Sequence, residues 1–90
     1  MTESAIENFV VNKAKKRGFF VRKVKWLGID GAPDRMFAHR DRGTVFIEFK
    51  DTDEIAKLYQ TLEHAEMRAA GVEVHVCDNV QDALRILGIE

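Results

Sequence analysis

The sequence predicts an α/β fold in the order αβββαβα, built around a mixed sheet flanked by helices. Apolar residues recur at helical spacing in the first, fifth and last segments, short β-branched and aromatic runs lie between them, and glycines mark the joins. A strand that reaches the sheet through a helical crossover gains a parallel neighbour, whereas strands joined by a short polar loop pair antiparallel.

From Ser4 to Lys16 the apolar Ile6, Phe9, Val10 and Ala14 share one helical face, and Gly18 is a natural stop. Phe19 to Trp26 is rich in aromatic and β-branched residues interleaved with Arg22, Lys23 and Lys25, which predicts a strand. Leu27 to Asp34 holds Gly28, Gly31 and the only proline, so it is a turn. Pro33 drives Ala32 into an extended conformation, and Asp34 then opens a strand through Ala38. The polar loop His39–Gly43 leads into a further strand, Thr44–Phe49. Antiparallel pairing of these two strands brings Asp34 toward Glu48, 14 residues away in the chain.

Thr52 or Asp53 is expected to cap a second helix, with Ile55, Leu58, Tyr59, Leu62, Ala65 and Ala69 as its apolar stripe and Gly71 as its end. Val72, Val74 and Val76 alternate with Glu73 and His75 as a strand. Asn79 caps a last helix carrying Val80, Ala83, Leu84 and Leu87. Residues 1–90 thus read as a single domain without repeat or linker. A chain this short buries only about 60–65% of its unfolded surface, which makes oligomerisation a useful supplement.

Charge is divided unevenly. The first 50 residues carry 11 basic and 6 acidic side chains, the last 40 carry 3 and 9, although the net charge is only −1. Lys13, Lys15, Lys16, Arg17, Arg22, Lys23 and Lys25 form a run without an acid, a candidate phosphate-binding surface or, more plainly, a solvated helix end. Cys77 is the only cysteine, which excludes an intramolecular disulfide and points to a small core residue. No apolar run approaches the ~18 residues of a membrane span, and Met1-Thr2-Glu3 is unlike a signal peptide, so a cytoplasmic protein is expected.

The chemistry concentrates in Gly31-Ala32-Pro33-Asp34-Arg35 and Ile47-Glu48-Phe49-Lys50. In a strand Glu48 and Lys50 share one face while Val45, Ile47 and Phe49 take the other, so charge is placed on a strand of apolar β-formers. An exposed same-face salt bridge is the ordinary explanation of Glu-x-Lys, and an aspartate after a Pro/Gly turn ordinarily bonds the turn backbone. Their ordered combination suggests more. Phosphodiester hydrolysis needs an activated water, neutralised phosphate charge and a stabilised leaving oxygen, and Mg²⁺ held by one or two carboxylates supplies all three. Asp34, Glu48 and the carbonyl of Phe49 suit the ion, and Lys50 suits the attacking water or the phosphate. Arg35, Arg40 and Arg42 flank the acids as fork-shaped phosphate donors. Asp30 and Asp51 are surface acids near the two motifs, and Trp26 could stack on a base, although the core or a dimer interface is the more ordinary place for it. His39, His64 and His75 lack metal-ligand spacing and read as loop, helix-face and strand residues.

These segments, with Gln60 in the following helix, resemble virus-type replication-repair nuclease (VRR-Nuc) domains of the PD-(D/E)XK nuclease superfamily. The resemblance runs over nearly the whole chain and includes the glycine ahead of Pro-Asp-Arg. It implies a restriction-endonuclease-like core and a DNA endonuclease using Mg²⁺ or Mn²⁺. It makes Asp34 and Glu48 metal ligands, Lys50 the catalytic lysine and Gln60 a helix residue reaching into the site. Glu7 matches the acid such nucleases contribute from their first helix, but Ser4-x-x-Glu7 also has capping-box spacing, and both readings stand. Stand-alone members, found in phages and bacteria, resemble homodimeric Holliday-junction-resolving enzymes of DNA repair. A dimer cutting branched DNA would grip it with the doubled basic residues Lys13 to Lys25. The competing expectations are an inert nucleic-acid-binding or interaction module on the same fold, and a sequence-specific endonuclease, for which the chain leaves little room.

Overall fold

The computed structural model describes residues 1–90. It contains helix α1 (Glu3–Lys16), strands β1 (Phe20–Lys23), β2 (Arg35–His39) and β3 (Gly43–Phe49), helix α2 (Leu58–Ala69), strand β4 (Val74–Cys77) and helix α3 (Val80–Leu87). The predicted αβββαβα order is observed. The sheet order is β1-β2-β3-β4, antiparallel in its first two pairings and parallel between β3 and β4, as the crossover through α2 requires.

One sheet face carries the core. Val21, Phe37 and Val45 lie in register across three strands and join Ile47, Phe49 and Cys77 beneath Ile6, Val10 and Ala14 of α1 and Ala83, Leu84 and Leu87 of α3. Cys77 is the small core residue expected, and burial pushes its thiol up to about 12. Alternation sends Phe20, Arg22, Met36, Phe46 and Glu48 to the opposite face. α2 lies against β4 on that side, where Val74 and Met67 are buried.

Several boundaries move, each for a local reason. α1 is capped by Thr2, whose Oγ1 accepts from the Ala5 N–H at 3.2 Å, so Glu7 lies too deep in the helix to serve a capping box. β1 stops at Lys23 rather than Trp26 because its only neighbour, β2, begins at Arg35, the partner of Lys23. One backbone bond continues the pairing, from the Val24 N–H to the Asp34 carbonyl at 3.0 Å. β4 is Val74–Cys77 instead of Val72–Val76, since the Val72 N–H closes the end of α2 on the Met67 carbonyl.

The larger correction concerns the second helix. Thr52 and Asp53 do not cap it: Thr52 N–H donates to the Met1 carbonyl, Asp53 N–H to Asp78 Oδ2, and Asp53 adopts φ +70° in the turn they form. The helix begins at Leu58, with Lys57 as its cap residue. The expected apolar stripe faces outward, with Ile55 82% and Leu58 74% exposed and Tyr59 and Leu62 also exposed. Gln60, His64 and Met67, spaced by four and three, point inward instead. The inward face meets a buried carboxylate, which the polar Gln60 fits, and the closely approaching Gly31 turn.

Gly31 sets how closely that turn approaches α2. It has φ +105°, and a Cβ there would lie 2.8 Å from Glu63 Cβ and 3.0 Å from the Tyr59 carbonyl oxygen. Gly31→Ala is therefore expected to destabilise the protein by about 2–4 kcal/mol in urea unfolding, from backbone strain and overpacking together. An unchanged midpoint would contradict this account of the turn.

Candidate active site

β3 gives Val45, Ile47 and Phe49 to the core and its even-numbered residues to the opposite face, where Glu48 enters the site. Glu48 and Lys50 share the non-core face and are only 4% and 6% exposed, with Lys50 Nζ 3.6 Å from Glu48 Oε2. The Lys50 N–H donates to the Cys77 carbonyl, which keeps the chain extended one residue past the strand. This is not the exposed surface pair that Glu-x-Lys ordinarily forms.

Asp34 precedes β2 by one residue. Since Arg35 faces Ile47, one further step of the same register sets Asp34 opposite Glu48, within the cross-strand distance at which side chains meet. Its Oδ2 accepts from the Phe49 N–H at 2.8 Å. Burial raises the pKa of Asp34, with the Phe49 amide opposing and the charge of Glu7 adding to the rise. Burial first, then the charge of Asp34, pushes Glu48 up to about 7 although Lys50 pulls the other way. Two adjacent carboxylates in a partly dry setting disfavour each other's ionisation.

Gln60 connects α2 to this pair. Its Oε1 accepts from the Lys57 N–H at 2.9 Å, which fixes the amide orientation, and its Nε2 donates to Glu48 Oε2 at 3.0 Å. The other oxygen, Glu48 Oε1, is buried without a hydrogen-bond partner. A buried carboxylate oxygen without a donor is costly unless a cation or proton satisfies it. The donor set of Asp34, Glu48 and neighbouring backbone is all oxygen, which fits a hard divalent ion.

No family model matches the sequence. A protein of Acyrthosiphon pisum secondary endosymbiont phage 1, named "Putative nuclease p44", is 36% identical over 85 residues, which is 94% of this chain and 90% of that protein. A solved structure described as a VRR_NUC domain superposes over 98% of this chain and 97% of its own with a TM-score of 0.84 at 25% identity. The chain belongs to the VRR-Nuc family. A second solved VRR_NUC domain protein shares the fold, with a TM-score of 0.80 at 18% identity over 98% of this chain and 86% of that one.

Within this VRR-Nuc fold the remaining expected residues divide. Glu7 projects from α1 to Arg35, accepting from its Nε at 2.6 Å, so each occupies the other. Arg42 is structural: it forks onto Glu73 at 2.6 and 3.1 Å and caps the Ile86 carbonyl at 2.8 Å, and it holds the Glu73 carboxyl down at about 2. Arg42 thus has all its donor groups taken, whereas Arg35 is held through Nε alone. Lys16, Arg17, Arg22, Lys23, Lys25 and Arg40 are exposed and Lys13 is half-buried; Lys23 lies close enough to Asp34 to favour its ionised form. Trp26 is half-buried against Phe46, and Asp30 stands exposed.

Two residues near the acids were not legible as site residues. Glu3, in the first turn of α1, is close enough to Asp34 and Lys50 to sense both charges, and Asp51 Oδ1 accepts its N–H at 2.6 Å. Only the docking of the N-terminus on the 51–52 turn creates that proximity, and no motif announces it. His64 reads as a helix-face residue but is 1% exposed, with neither ring nitrogen in a hydrogen bond of normal geometry. Burial, then Arg68, lowers its pKa and favours the neutral imidazole.

The Glu48 environment has a signed consequence for stability. A carboxyl whose folded pKa is about 7 stabilises the metal-free protein below its unfolded value near 4.5, and that contribution is lost as pH rises through 7. Metal-free Glu48→Gln should therefore be more stable than wild type at pH 8, by up to about 3 kcal/mol, with the gap closing by pH 4.5. Thermal melts across that range in EDTA check it, and a variant less stable than wild type at pH 8 would contradict the assignment. Arg42→Ala is expected to cost about 1 kcal/mol in urea, a modest figure for a partly exposed pair, while leaving DNA affinity unchanged in an anisotropy titration.

Proposed function

We propose that this chain is a divalent-metal-dependent DNA endonuclease. The single observation that carries the reading is the pairing of half-buried Asp34 with buried Glu48, both with raised pKa, beside Lys50 and with Glu48 Oε1 unpartnered. Membership of the VRR-Nuc family and the phage relative's name support it.

Asp34, Glu48 and the Phe49 carbonyl are the residues that would hold Mg²⁺ or Mn²⁺. When bound, such an ion lowers the pKa of water and neutralises charge on a phosphate oxygen. The protein's own part is positional. Gln60 holds Glu48 by Oε2, which leaves Oε1 without a protein partner, and the Phe49 amide holds Asp34 by Oδ2. Lys50 stands beside the acids to orient the attacking water or take up phosphate charge. Glu7, held by Arg35, tunes Asp34 through its charge. The exposed basic residues of α1 and β1, with Arg40, grip the DNA backbone.

Two identical sites related by a two-fold axis match a branched substrate in which two strands are cut, so we assign the active form to a homodimer on junction-like DNA. Exposed Ile55, Leu58 and Leu62 give a second copy apolar surface to cover. Incubation with four-way junction, flap and linear duplex under Mg²⁺ or Mn²⁺ tests the reading. Cleavage is expected, preferentially of branched DNA, and Asp34→Ala or Lys50→Ala should slow it by at least about 10²-fold. Absence of cleavage by wild type, together with no calorimetric Mn²⁺ binding that depends on Glu48, would favour an inert module instead.

A further inference from the structure

The sheet face that carries the acids is only half covered. α2 lies over its β4 side, but on the β1–β2 side Phe20 is 48% exposed and Met36, Ala38 and Phe46 are half-buried. The registers order this face in rows. Phe20, Ala38 and Thr44 form one row, Arg22, Met36 and Phe46 the next, and Val24, Asp34 and Glu48 follow one step beyond the β1–β2 ladder. An apolar and aromatic strip, open at Phe20 and packed by Trp26 at Phe46, therefore runs toward the carboxylates.

Its outer end is built from a cation and a ring. The Arg22 guanidinium lies 3.9 Å from the centroid of the Phe20 ring and is pinned by its Nη1 to the Val21 carbonyl at 2.8 Å. Arg22 and Arg40 are exposed, and neither pairs with a carboxylate, unlike Arg35, Arg42 and Arg85. Arg40 borders an open depression of about 530 Å³ lined also by Phe20, Ala38 and Thr44. Planar π surface beside unneutralised arginines on an open sheet is complementary to a nucleotide, whose base stacks and whose phosphate is anionic.

We propose that this strip is a stacking platform for an unpaired nucleotide of the DNA substrate, with Phe20 and Arg22 carrying the base and Arg40 the adjacent phosphate. Four residue steps along β1 and just past its end lead from Phe20 to Val24, about 13 Å at strand spacing. Asp34 and Glu48 lie one and two strands to the side of Val24, so the platform is about four to five stacked nucleotides from the acids at ~3.4 Å per nucleotide. The platform rests on the nuclease reading for its meaning and makes the substrate more specific: DNA with an unpaired segment next to the cut. A paired base presents only its edge to a protein groove, whereas stacking on a side chain requires a base free of its own stack.

The test is fluorescence anisotropy in EDTA, where binding is read without cleavage, using wild type, Phe20→Ala and Phe20→Trp with a tailed duplex carrying unpaired thymidines and a blunt duplex of the same sequence. Phe20→Ala should weaken the tailed duplex by roughly 5- to 140-fold, the range one base–aromatic stack contributes, with blunt-duplex affinity unchanged. Phe20→Trp should retain wild-type affinity for both. Equal loss on the two substrates, no loss on either, or a changed oligomeric state of Phe20→Ala by light scattering would overturn the proposal, the last by showing that a second copy occupies the face. A protein that shows the tail-specific loss yet cuts nothing would keep the platform and refute the nuclease.

Discussion

The structure turns on a carboxylate that is buried where a hydrophobic side chain would cost less. Glu48 sits near the end of β3 on the non-core face, opposite Asp34, with one oxygen held by Gln60 and near Lys50 and the other without a partner. Desolvation and the neighbouring charge both oppose its ionisation. Everything around it follows from having to place two acids and a lysine against a small sheet without losing the core. The core is therefore confined to the other face, and α2 presents polar residues inward.

That arrangement explains which parts of the molecule could be read from the sequence. Strands β2 and β3 and the two acids were legible because alternation in Val45–Lys50 and the Pro33 turn are local signals with one outcome. α3 was legible because Asn79 is a good cap and the helix is strongly one-sided, and Asn79 Oδ1 does accept the Asp82 N–H at 2.8 Å. The stripe of α2 misled because hydrophobic periodicity assumes that the buried face is the apolar one. Here the buried face is the one bearing Gln60 and His64, and the environment that makes this favourable lies in β3 and the Gly31 turn, remote in sequence.

The same limit applies to charge. A run of basic residues and three arginines near the acids suggested phosphate contacts throughout. Which cations are already taken is a tertiary matter. Arg35 is engaged by Glu7 and Arg42 by Glu73 and the end of α3, and these pairs join segments 28 and 31 residues apart. Glu3 shows the reverse case, an acid without a motif that reaches the site only because Met1 and Thr52 exchange hydrogen bonds. The buried His64, with no hydrogen-bond partner of normal geometry, likewise required the packed structure to be noticed.

The strict division of β3 between its two faces carries a consequence for folding fidelity. A strand slipped by one residue against β2 would turn Glu48 and Lys50 into the apolar layer beneath α1 and expose Ile47 and Phe49 to the site side. Few mispairings of a short hairpin cost as much as burying two unsatisfied charges at once. The groups that serve chemistry thus also proofread strand alignment, and a variant with both made apolar would lose not only its site but the penalty that keeps its pairing unique.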